Sequence, residues 1–191
     1  QISNSTLPGT FKIEFIKGQK KLTHNYKIEN RRNLSQQNEG FDSSDVIYLI
    51  TPDRFANGDY SNDIIKGLKE NKIDRNDNYA RHGGDIIGVT QNMNYIKEMG
   101  FTSIWLNPVL INDMKEGSYH GYATTDYYTP DPRFGSMDDY LEFSEKASKN
   151  GIKLIKDIIV NHCGLYHWWM DDLPFNDWLN FQEIYLKSND E

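Results

Sequence analysis

Residues 152–164 read IKLIKDIIVNHCG. Ile152, Leu154, Ile155, Ile158, Ile159 and Val160 form a nearly continuous apolar run, the pattern of a strand buried on both faces as in parallel sheets. The run nevertheless closes on Asp157, Asn161 and His162, in the spacing D-x-x-x-N-H. A strand that only packs has no use for a carboxylate, an amide and an imidazole, because each must be hydrogen-bonded or kept wet. The expectation is a buried strand over 152–160 whose C-terminal end opens onto a polar site.

Two earlier runs share this texture, VIYLI at 46–50 and SIWLNP at 103–108. Between the three lie helical patterns. Ile86, Val89, Met93 and Ile96 recur at three- and four-residue steps before Gly100, predicting a helix over about 86–99. Ser136 with Asp139 forms a capping-box start and Gly151 a stop, predicting a second helix over 137–149. The order β-α-β-α-β demands a right-handed parallel sheet with helices outside, either doubly wound or a (β/α)8 barrel. No glycine-rich dinucleotide or phosphate loop follows a strand. The polar residues gather instead after the strands' C-terminal ends, the face on which a barrel builds its active site.

Upstream, Phe11, Ile13 and Phe15 alternate with polar residues, Gly18 turns, and Leu22, Tyr26 and Ile28 follow, a hairpin signature. Two strands alone are marginal in water, so residues 1–30 read as the end of a β domain. Residues 31–44 are a polar linker, 45–162 hold three β/α units, and 163–191 begin a further loop region. The chain starts at Gln1, not at a methionine, and is expected to be part of a longer precursor.

A net charge of −7 argues against nucleic acid as the main partner. No apolar run approaches the roughly 18 residues of a membrane span. The one cysteine, Cys163, forms no internal disulfide. Twelve Tyr, nine Phe and four Trp suit sugar rings, peptides or protein interfaces.

Three constellations carry chemistry. PDRFANGDYSND (52–63) and GGD (83–85) offer Asn57, Asp59, Asn62, Asp63 and Asp85 as oxygen donors, with glycine backbone able to turn a carbonyl inward. Calcium takes six to eight such ligands, and a cation at both ends of the intervening loop would hold it closed; the alternative is an ordinary Asn/Asp/Gly turn. YHGYATTDYYTPDPRFG (119–135) places His120 and Tyr122 around Gly121, either as a ring-binding platform or as a packed aromatic loop. In the third, period-two alternation turns Asp157, Ile159 and Asn161 to one side, so Asp157 faces a barrel interior near the rim and requires a partner, expected to be an Arg that need not lie within these residues. A zinc reading of His162, Cys163 and His167 lacks a fourth ligand.

In this order, PDRFANGD, GGD, YHGYATTDYY and DIIVNH resemble the α-amylase family of glycoside hydrolases over about residues 41–191, and the hairpin is similar to the end of the amino-terminal β-sandwich of its neopullulanase and cyclomaltodextrinase branch. The resemblance implies the first part of a (β/α)8 TIM barrel and retaining cleavage of α-glucosidic bonds in starch fragments, pullulan or cyclodextrins. A noncatalytic α-glucan-binding relative or partner subunit is the alternative. It implies a calcium site at Asn57, Asp59, Asn62, Asp63, Gly83 and Asp85, a sugar-stacking Tyr122 beside His120, a sugar contact at His162, and Asp157 as support for an active-site Arg. Asn161 would serve a second calcium, often absent in this branch. The nucleophile and acid/base are expected beyond Glu191, so Asp171, Asp172 and Asp177 are not assigned to them. An extracytoplasmic location is expected. Oligomeric state, with a dimer as one option, the choice of α-1,4 or α-1,6 bonds, ring or linear substrates, and hydrolysis or transglycosylation stay open.

Overall fold

The structure, a computed structural model, describes residues 3, 5–30, 40–173 and 178–179. It divides into two compact units, Gln1–Gly40 and Phe41–Glu191. Most of the 31–44 linker and Asp177 lie outside the described residues.

In the first unit, β1 (Gly9–Lys17) and β2 (Lys20–Ile28) pair antiparallel, with Lys17 opposite Lys20 and Gly18 in the turn at φ 60°. A two-residue connection needs a positive φ to follow the strands' twist, and glycine adopts it without a Cβ clash. Phe11 stands opposite Tyr26 and Phe15 opposite Leu22, so the alternation gathers aromatic and aliphatic side chains on one face. All four are exposed.

The second unit is built on a parallel sheet of β3 (Ile47–Ile50), β4 (Ser103–Leu106) and β7 (Lys153–Lys156), in the order β3-β4-β7. Leu49, Trp105 and Ile155 share one register row. The short helix α1 (Pro52–Phe55) follows β3, and one sheet face, with Ile50, Ile104 and Leu106, is buried against the helices α2 (Ile86–Gln91), α3 (Met93–Glu98) and α4 (Met137–Lys149) through Ile86, Val89, Met93, Ile96, Phe143 and Ala147. The opposite face is open, with Leu49 53% and Trp105 38% exposed. The connection from β4 to α4 adds a small antiparallel pair, β5 (Leu110–Ile111) and β6 (Asp126–Pro130). Among the described residues no helix is long and apolar enough to cross a membrane.

Two expectations need correction. The third strand ends at Lys156, so 157–160 leave the ladder and Asp157 stands just past the sheet's rim. The neighbour explains this. Asn107 N–H still reaches Ile50 O on one side, but the next residue, Pro108, has no N–H to offer β7 on the other. The helix over 86–99 is two helices that meet at Asn92, where ψ rises to 17°. Thr90 Oγ1 donates to Ile86 O and Asn92 Nδ2 to Gly88 O, so side chains compete for the carbonyls of the ladder.

The α4 start agrees with its sequence. Ser136 Oγ accepts from Asp139 N–H, and the Asp139 carboxylate accepts from Ser136 N–H. Ser136→Ala is expected to lower unfolding free energy by about 1 kcal/mol in chemical denaturation; an unchanged midpoint would mean that the reciprocal cap contributes nothing.

Candidate functional site

The polar residues at the strands' C-terminal ends form one constellation. After β4 the chain runs through β5 into a tight turn, Ser118–His120, bounded by Gly117 and Gly121 at φ 70° and 79°. A Cβ on Gly121 would lie 2.0 Å from Pro108 O, so only glycine lets this turn approach the end of β4. The turn aims Tyr122 at Asp157: Tyr122 Oη and Trp105 Nε1 each donate to Asp157 Oδ2 at 3.0 Å. Within the described residues these two neutral donors meet the carboxylate, which leaves Asp157 Oδ1 for a partner such as the expected Arg. Burial, then the bond to Asp157, raises the Tyr122 phenol above its usual range.

His120 Nδ1 accepts from Tyr122 N–H at 2.9 Å, and the two rings stand 5.9 Å apart with 29° between their planes. Burial pushes the His120 imidazole below its usual range, against the opposing charge of Glu70. The neutral ring therefore carries its proton on Nε2, where it is available as a donor. His162 Nε2 lies 3.0 Å from Tyr122 O, and its Nδ1 lies 3.2 Å from Asn161 Nδ2. His120, Tyr122, Asp157, Asn161 and His162 are thus linked by direct hydrogen bonds. His162 also borders a cavity of about 370 Å3 with Tyr127, Ile158 and Trp169.

The oxygen donors of the first loop form a second cluster. Asp85 caps α2 and is fully buried: Oδ1 accepts from Gly58 and Gly88 N–H, Oδ2 from Asp59 N–H and Asn62 Nδ2. Asp63 Oδ1 accepts from Asn57 Nδ2 at 2.6 Å, and a Cβ on Gly83 would meet that same oxygen at 2.6 Å. Asn57 Oδ1 and Asn62 Oδ1 are buried without a donor. Asp59 Oδ1 is engaged by Ser61 N–H and Oγ. Among the described residues, no group of three or more His, Cys, Asp or Glu stands in a metal-holding arrangement. The site is therefore one of amide and carboxylate oxygens, and its orphaned carboxamides fit a hard cation.

A third group has no counterpart in the sequence reading. Asp53, Glu70, Arg81, Asp131 and Arg133 are all buried between the two loops. Arg133 grips Asp131 through Nε at 2.9 Å and Nη2 at 2.6 Å. Burial opposes ionisation of Asp131, but Arg133 outweighs it and holds the carboxyl below its usual range. Arg81, 3.6 Å from Asp53, keeps Nε and Nη2 without hydrogen-bond acceptors. Asp131 and Arg133 lie in the DPR stretch of the quoted aromatic loop, and that spacing was the one available signal. Nothing in the sequence marked the charges as buried.

Residues 49–188 match the family model described as the α-amylase catalytic domain. The chain belongs to the α-amylase catalytic-domain family. This α-amylase-family chain is 36% identical over 151 residues to a cyclomaltodextrinase of Thermoanaerobacter pseudethanolicus, a match covering 75% of the chain and 25% of that protein. It is 38% identical over 119 residues to neopullulanase 2 of Thermoactinomyces vulgaris, covering 62% and 20%. The crystal structure of an Anoxybacillus α-amylase superposes with a TM-score of 0.64 at 40% identity, covering 73% of this chain and 29% of that one. The chain spans a quarter or less of the length of the curated relatives it matches. Its three parallel strands and the two helical connections between them are a fragment of the TIM barrel of this family.

Gly121→Ala is expected to destabilise by at least about 2 kcal/mol, combining a left-handed backbone with the carbonyl clash. Thermal unfolding measures it, and a shift of less than one degree would show that the turn relaxes away from Pro108.

Proposed function

We propose that the protein of which these residues are part is a retaining glycoside hydrolase acting on α-glucans such as starch fragments, pullulan or cyclodextrins. The carrying observation is the convergence on Asp157 at the barrel rim, where Trp105 and Tyr122 both donate to Oδ2 and His162 holds the Tyr122 carbonyl. Retaining cleavage needs two carboxyl groups about 5 Å apart. We assign neither to residues 1–191 and place both on further strands of the barrel.

In this reading the half-exposed Tyr122 ring stacks on a sugar, and His120 offers Nε2–H to a hydroxyl. His162 contacts the same ring, with a sugar hydroxyl taking the place of Asn161 at Nδ1. Asp157 orients Tyr122 and supports, rather than attacks, the reacting centre. The similarity to cyclomaltodextrinase and neopullulanase favours an enzyme over a noncatalytic binder. The exposed Phe11, Phe15, Leu22 and Tyr26 support reading 1–30 as the end of a β-sandwich domain.

The test is cleavage of maltohexaose and β-cyclodextrin by the full-length protein, with the product anomer followed by NMR. The α-anomer forming first supports the reading; the β-anomer, or no cleavage of either substrate, overturns it.

Calcium is the proposed cation of the first loop, held by the oxygens of Asn57, Asn62 and Asp63 and by the carbonyl of Gly83, with Asp59 at the edge. Asp85 would join only by giving up one of its four N–H donors, so its cap role comes first. The ion would be structural, closing the loop that runs from 57 to 85. Asp63→Ala is expected to lower the melting temperature by several degrees in calcium and by little in chelator, since RT ln(1 + [L]/Kd) disappears with the ion. Equal losses under both conditions would contradict the site.

A further inference from the structure

We infer that Glu70, with Arg81, is a positioning residue for the sugar site: the first loop fixes the turn that presents His120 and Tyr122. This rests on the proposed sugar-binding role of those two side chains.

The geometry centres on Ser118, which is fully buried at the start of the turn. All of its polar groups are engaged. Its N–H donates to Glu70 Oε2 at 2.8 Å, its Oγ lies 3.4 Å from Arg81 Nη1, and its carbonyl accepts from Asn112 Nδ2 at 3.2 Å. The first two partners come from the first loop, far away in sequence. The same loop grips the flanks of the turn. Lys69 binds Asp113 through both its backbone N–H and Nζ, and the Arg54 guanidinium lies 3.9 Å from the centre of the Tyr119 ring.

Glu70 is only 8% exposed, yet it is a carboxylate where an aliphatic side chain would pack at less desolvation cost. What the carboxylate supplies is an acceptor for a backbone N–H that would otherwise be buried and unpaired. Arg133 Nη1 donates to the Glu70 carbonyl at 3.2 Å, so the residue is held at its backbone as well as its tip. Two residues after Ser118 stands His120, and Gly121 is packed against Pro108. A shift at Ser118 has no slack in which to dissipate before it reaches the ring faces of His120 and Tyr122.

The experiment compares Glu70→Ala and Glu70→Gln in the full-length protein, well below the melting temperature. Glutamine keeps an oxygen acceptor for Ser118 N–H; alanine does not. Glu70→Ala is expected to lower kcat/KM on maltohexaose by about 10–100-fold, the cost of misplacing contact groups by a fraction of an ångström to an ångström. Glu70→Gln is expected to stay within about threefold, because the hydrogen bond to Ser118 survives. Hydrogen exchange of the amides over 118–122 is expected to quicken in Glu70→Ala and not in Glu70→Gln. Glu70→Asp, which withdraws the acceptor by one methylene, replaces the alanine variant if that one does not fold.

An alanine variant with a lowered melting temperature but wild-type kcat/KM would overturn the positioning role and leave Glu70 a packing residue. If the wild-type protein cleaves no α-glucan, the proposed function fails on its own. The exchange comparison then decides whether Glu70 fixes the turn, and unchanged exchange in the alanine variant overturns it.

Discussion

One buried carboxylate, Asp85, joins the first β/α connection to itself. It accepts N–H groups from Gly58, Asp59, Asn62 and Gly88, so the same two oxygens close a long polar loop and cap the helix that follows it. Four donors thus stand in for the water that the buried carboxylate has lost. The helix it starts must then lie close against the loop: a Cβ on Gly88 would sit 2.0 Å from Ala56 O. With the loop ends fixed there, its middle is carried over to the next connection.

That crossing is where charge replaces hydrophobic packing. The core behind the sheet is aliphatic and aromatic, but between the two loops the buried side chains are Asp53, Glu70, Arg81, Asp131 and Arg133. Loops cannot satisfy their backbone through a ladder, so their carbonyls and N–H groups require side-chain partners. Arg133 illustrates the division of work, with two donors on Asp131 and others on the carbonyls of Glu70 and Asn112. Removing one member strands another in a dry site, a loss of about 3–5 kcal/mol in comparable buried pairs. The turn at Ser118–His120 is built on this polar layer and not on the hydrophobic core.

The parallel strands and α4 were legible because apolar runs and a capping box are local signals, and both occur where the pattern placed them. The strand end at Lys156 was not, because it is set by Pro108 on the neighbouring strand. The break at Asn92 was also missed: the apolar period runs unbroken through it, while the competing bonds of Thr90 and Asn92 are polar. At the site, His120, Tyr122, Asp157 and His162 do come together, from two separate segments joined by hydrogen bonds. Their partners were less legible. Within the described residues Asp157 meets Trp105 and Tyr122, donors from two other segments that nothing near Asp157 in the sequence marked. Glu70 lies in a polar loop, where a glutamate reads as solvated until the fold buries it.

In the proposed function, the two loops beyond the sheet's C-terminal rim make one sugar site around Tyr122. The most direct measurement is a crystal structure of the full-length protein with a bound maltooligosaccharide. The expected result is a glucose ring stacked on Tyr122, with His120 Nε2 and His162 within hydrogen-bond distance of its hydroxyls and Asp157 still bonded to the tyrosine. A saccharide bound elsewhere, with Tyr122 and His120 free of contact, would contradict it.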